Sequence, residues 1–247
     1  MSAIITQKSG NPVFGSRAFD RSKSVHATNT MTLNGTLNKI FLSIGLMVAI
    51  GFLTYQSMTP GWIIGTAIAG FVVAIVTVFK KQWAPTTVPI YAILEGAFLG
   101  GISAVYGTMY QGIVFQAIFI TLAILVTMLM LYRSGAIRVT NKFRLGVIAA
   151  TGGVFLFYFA SFILGFFGIN VSVLDPTNAS LMAIGINLVI IVIAALNLVL
   201  DFDFIDKASK QSLPKYMEWY GAFGLLVTLI WLYLEILRLL ARLNSRQ

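Results

Sequence analysis

The chain has 247 residues, 58% hydrophobic and 10% charged, with a net charge of +9 and a mean hydropathy of +0.88. A soluble domain carries roughly 25% charged residues, so a water-facing exterior is excluded and the solvent must be mostly lipid. No cysteine is present, which excludes a disulfide framework and thiolate metal sites.

The positive charge does not mark a nucleic-acid partner. Basic residues flank apolar segments, which is the topology signal of a membrane protein facing lipid phosphates. Residues 1–33 are polar and carry Lys8, Arg17, Arg21 and Lys23. They lack the apolar core and cleavage site of a signal peptide. They read as a flexible cytoplasmic N-terminal tail, ahead of a membrane domain over 34–247. His26, the one histidine, lies in that tail.

Seven apolar runs long enough to span follow, at 36–55, 61–79, 86–106, 113–132, 145–168, 180–204 and 219–240. Each approaches the roughly 20 residues that cross the hydrocarbon core. Glycines are scattered through them, where small residues let helix backbones approach closely in lipid. The fold class is therefore all-α: an integral membrane seven-helix bundle. No internal repeat is visible, so an inverted-repeat transporter is not indicated.

The connections set orientation. "YQSMTPG" and "GTMYQG" carry no charge, and "INVSVLDPTNA" carries only Asp175. The alternate connections hold Lys80 and Lys81; Arg133, Arg138, Lys142 and Arg144; and Lys207, Lys210 and Lys215. The positive-inside rule places this second set in the cytoplasm, and the N-terminus with it. Arg238, Arg242 and Arg246, one stripe of the last helix, break the rule. That helix either crosses against it or re-enters, and its length favours crossing.

Of eight acids, Asp20, Asp175 and Glu218 fall in tails or loops and read as solvated charges, and Asp206 pairs with Lys210 at i+4. The other four lie within membrane reach. An ionisable residue in a span costs roughly 2.5–3.5 kcal/mol on insertion scales and usually faces the bundle interior. Glu95, in "YAILEGAFLGGIS", sits about 13 Å into the third helix. It is either a neutral, hydrogen-bonded acid joining helices or a proton or cation site. Asp201 and Asp203 end the sixth helix in "LNLVLDFDFIDK". Two residues apart means about 200° of rotation. One therefore faces the bundle while the other caps the helix or meets water, and the pattern does not say which. Glu235 precedes Arg238 by three residues, which reads as a structural ion pair.

"YAILEGAFLGGIS", "ALNLVLDFDFID", the closing "EWYGAFGLLVTLIWLYLEILRLLARL" and the early "NPVF" together resemble the Bax inhibitor-1 superfamily, in its bacterial YccA-like branch. The resemblance covers about residues 35–243. It implies a cell (inner) membrane protein with six helices around a central seventh. It also implies a pH-sensitive calcium leak, whose sensor is an aspartate pair on helices six and seven with an arginine near the end of helix two. The helix-six acid falls on Asp201 or Asp203, the helix-two arginine on Lys80, and the helix-seven aspartate on Thr228, which does not titrate.

Glu95 is the expected replacement for that missing carboxylate, with Thr228 hydrogen-bonding beside it. Two carboxylates sharing a site cannot both ionise cheaply, which makes a proton switch. Oxygen ligands suit transient Ca²⁺, and no resident cofactor is expected. The rival reading is a non-conducting regulator that binds other membrane proteins, such as a quality-control protease. An enzyme is not expected, because no histidine lies in the membrane part for a metal or Ser–His site. A retinal protein would need a lysine in the last helix, and 219–240 has none. Trp62, Trp83, Trp219 and Tyr220 read as interface anchors. The phenylalanines all round the fifth helix read as lipid contact.

Overall fold

The computed structural model of the chain describes residues 30–55 and 59–246. His26, Asp20 and "NPVF" lie outside them. The described residues are almost entirely helical, with no strand: α1 (Leu33–Thr54), α2 (Pro60–Phe79), α3 (Ala84–Met109), α4 (Ile113–Arg133), α5 (Asn141–Phe166), α6 (Leu181–Lys210) and α7 (Met217–Asn244). All seven are long and apolar enough to cross a membrane.

Local chemistry explains the boundaries. Thr32, Thr140 and Ser180 are N-caps whose hydroxyls accept from the backbone N–H three residues on. Proline opens α2 and α3, where its missing N–H would be unpaired anyway. Gly168 ends α5 at a φ of 74°, a left-handed turn that glycine enters without a Cβ penalty.

α7 is the axis. It packs against α1, α3, α4 and α6, while α2 packs on α3 and α5 on α6 as an outer layer. Tyr220, Phe223, Leu226, Leu232 and Leu237 of α7 are fully buried. Tyr91 of α3 meets Phe223 edge to face at 5.0 Å. Tyr220 is thus core and not an interface anchor, and it lies under Lys81 at 5.4 Å. Trp62 and Trp83 are exposed, as are Phe155, Phe159, Phe162 and Phe166 of α5.

α1 and α3 close on glycine. A β-carbon at Gly96 would lie 2.5 Å from the Met47 carbonyl oxygen, and one at Gly100 would run into that of Gly51. Such direct backbone contact supplies the van der Waals packing that holds helices together in lipid.

α6 outruns its expected end at 204 and continues to Lys210. Lys207 and Lys210 complement the helix dipole in the last turn. Asp201 and Asp203 therefore sit inside the helix rather than at its terminus. α7 is one continuous helix, long and apolar enough to cross.

Candidate functional site

The helix-six aspartates lie near the end of the bundle that carries the basic connections. Asp201 is fully buried and accepts a 2.6 Å hydrogen bond from Thr228 Oγ1 of α7. Asp203, 5% exposed, receives Arg144 Nη2 of α5 at 2.7 Å and Lys207 Nζ from the next turn at 2.8 Å. The 200° between them sends one acid to α7 and the other to α5. Neither faces water, contrary to the expected division of one inward and one solvated. α6 is thereby tied to both neighbours within a single turn.

Arg144, itself 8% exposed, is the guanidinium of this end. Lys80 is not: it is the exposed C-cap residue of α2 and makes no ion pair among the described residues. Arg144 looked like one more loop charge in the sequence. Its signal was position, since it stands one turn inside an apolar helix.

Glu95 is not brought to the aspartates. It is 8% exposed and lies between α3 and α2, where a β-carbon at Gly70 would sit 2.6 Å from its Oε1. It makes no hydrogen bond or ion pair with either aspartate. Gly70 removes the side chain that would otherwise occupy its place, so the carboxyl turns towards α2. The shared-proton arrangement of Glu95 with Asp201 or Asp203 is absent from this geometry.

Glu218 is the acid that the sequence hid. It is fully buried and binds Lys215 Nζ at 2.8 Å, Lys39 Nζ at 3.1 Å, and the amide and hydroxyl of Thr32 at 3.0 and 2.9 Å. Met31 N–H donates to Leu213 O at 2.7 Å beside it. The entry of α1 is thus sewn to the connection between α6 and α7. Gly35 leaves the room, since a β-carbon there would collide with the Glu218 carboxylate.

A second polar group fills the opposite half of the bundle. Glu235, 2% exposed, accepts from Tyr158 Oη of α5 at 2.6 Å, Asn187 Nδ2 of α6 at 2.9 Å and Arg238 Nη1 at 3.1 Å. Arg242 is 1% exposed and donates to the carbonyls of Ala183, Val173 and Asp175. Two of the three arginines that break the charge rule are therefore bonded inside the protein, Arg242 through both of its Nη atoms. In the connection that Arg242 grips, Asp175 accepts from Thr177 N–H at 2.8 Å and Oγ1 at 2.7 Å. These bonds hold its carboxyl below the ordinary range.

The described residues hold no group of three or more His, Asp or Glu side chains suited to a resident metal. The family model described as Bax inhibitor 1 like matches residues 11–245. The chain belongs to that family. No match is found among curated proteins. Membership and the seven apolar helices make this Bax inhibitor 1-like chain a multi-pass membrane protein.

Proposed function

We propose that this chain lies in the cell membrane with its N-terminus in the cytoplasm and lets cations, Ca²⁺ first among them, leak across when carboxylates at its basic end are protonated. One observation carries the reading. Asp201 and Asp203 are both buried, and each is bound to a different helix. Their charge therefore bears on how α5, α6 and α7 are held together at one mouth.

The sign follows from the contacts. Ionised Asp203 attracts Arg144 and Lys207 through charge-assisted bonds, which are about twice as strong as neutral ones. Protonation removes that attraction and frees the mouth, so flux rises as pH falls. Thr228 supports the gate by holding Asp201. Glu95 stands apart from the gate, at the contact between α2 and α3.

Calcium uptake into proteoliposomes across pH tests this. Asp203→Asn should leak at neutral pH and lose most of its pH response. Glu95→Gln should leave both the flux and its pH midpoint unchanged. Flux no greater than in protein-free vesicles at every pH would sink the proposal and favour a non-conducting regulator of other membrane proteins.

A further inference from the structure

Three polar contacts fasten α5 to the bundle. Arg144 reaches Asp203 at 2.7 Å, Thr151 Oγ1 receives Asn197 Nδ2 at 2.7 Å, and Tyr158 reaches Glu235 at 2.6 Å. They are spaced seven residues apart and so form one stripe of the helix. From Arg144 to Tyr158 they cover about 21 Å of a hydrocarbon core roughly 30 Å thick. Besides Arg144, the only buried side chains of α5 are Val147 and Val154, between the rungs.

Helix packing beside this stripe is open. On the exposed outer face of the bundle, a crevice of about 580 Å³ lies between Ala150, Gly153 and Phe157 of α5 and Gly185 and Val189 of α6. A β-carbon at Gly153 or Gly185 would meet nothing within 4 Å.

Two amide oxygens next to the rungs are buried with no hydrogen-bond partner. Asn197 Oδ1 belongs to a side chain 2% exposed, and Asn187 Oδ1 to one 1% exposed. An unmet buried acceptor is costly unless something reaches it. Asn197 spends its amide nitrogen on Thr151 across the seam and on Ile193 O. Its Oδ1 is on the same amide and is buried beside the Thr151 contact. Asn187 spends its nitrogen on Glu235, the acid of the third rung.

We propose that the path for a hydrated cation runs along the seam between α5 and α6, beside the central helix rather than through the packing around Thr228. Asp203 marks one end and Glu235 the other, each occupied by an arginine in this closed arrangement. Asn197 Oδ1 with Thr151 Oγ1 forms the mid-membrane oxygen site. Hard cations take oxygen ligands of this kind, carboxylate and amide carbonyl together. The apolar crevice gives α5 room to shift when the rungs release. This inference deepens the leak reading and rests on it for its purpose, but its geometry is testable without any flux.

The absence of native cysteine makes the test direct. Thr151→Cys and Thr228→Cys are prepared separately in vesicles held at acidic pH, where the gate is proposed to be open. Each is treated with a small cationic methanethiosulfonate, and modification is read by mass spectrometry. A thiol in a watered path ionises and reacts, whereas one in apolar packing stays inert. Residue 151 should react about tenfold faster than residue 228. Equal rates, a faster reaction at 228, or no reaction at either while free cysteine at the same pH is modified would overturn the seam. In parallel, Asn197→Leu should cut calcium flux about tenfold, the loss that follows from replacing an ion-ligating oxygen by hydrocarbon. Flux unchanged by Asn197→Leu would also overturn it. Wild-type protein that never conducts but shows the fast thiol at 151 would instead defeat the leak reading and leave the watered seam standing.

Discussion

The α1–α3 seam and the α5–α6 seam are both rich in glycine, yet they are built on opposite principles. In the first, glycine brings backbone onto backbone: Gly96 faces the Met47 carbonyl, and Gly51 faces that of Gly96 at 3.2 Å from its would-be β-carbon. In the second, Gly153 and Gly185 lie on the exposed face and approach no protein atom, and polar rungs make the attachment. A bilayer offers no hydrophobic drive between helices, so close packing and hydrogen bonding are the available cements. A packed seam has one geometry. A rung can be exchanged for water, a proton or an ion, so the polar seam is the one suited to open.

Breaking the strongest rung should give the largest effect. Arg144→Met keeps the volume but leaves Asp203 short of a buried partner, and removing one member of a buried pair costs about 3–5 kcal/mol. Lys207 remains at 2.8 Å, so a loss near the low end, about 3 kcal/mol, is expected. Thermal unfolding in detergent would check it, with a fall in Tm of roughly 6–12 °C at this chain length. A silent Arg144→Met would mean that α5 is held by its valines instead.

One substitution applied to both seams should change sign. Gly96→Ala forces α1 away from α3, and overpacking of this kind costs typically 1–3 kcal/mol. Gly153→Ala meets no atom and removes the helix penalty of glycine, a gain of about 0.5–1 kcal/mol. Equal shifts in Tm would erase the distinction between the seams. The middle rung should be weaker. A double-mutant cycle between Thr151→Val and Asn197→Leu should report a coupling of about 1 kcal/mol, the worth of one neutral hydrogen bond.

The fold was legible because apolar length is a physical requirement of crossing lipid, and all seven expected runs are helices. Orientations within the bundle were less so. Glu218 read as a loop acid because its partners, Thr32 and Lys39, lie about 180 residues earlier and meet it only in three dimensions. Glu95, about 13 Å into its helix, is expected within a long side chain's reach of the aspartates, but depth along a helix says nothing about azimuth, and Gly70 turns it towards α2. The α5 stripe of Arg144, Thr151 and Tyr158 was present as a seven-residue spacing. Surrounding phenylalanines masked it, since an all-round apolar helix shows no preferred face. The partial sums differ in kind: what lipid dictates is local in sequence, and what side chains exchange across helices is not.

The smallest effect belongs to the connection outside the helices, at the far end of the polar seam. Asp175 is held ionised by two bonds from Thr177, so its carboxyl is depressed below the usual value. A depressed acid contributes order that is fully present above its ordinary titration range and is lost as pH falls through the lower value. The group is exposed, so solvent screens the contribution and global stability should hardly move. The change should therefore be local. Asp175→Asn, or acidification of the wild type to below the ordinary aspartate range, should lower the protection of the Thr177 and Asn178 amides relative to their intrinsic exchange rate at the same pH, while leaving α6 and α7 protected. If exchange instead quickened along α7 as well, the Arg242 contacts to Ala183 and Val173 would be coupled to this turn, and the far mouth would share the looseness of the polar seam rather than the firmness of the glycine one.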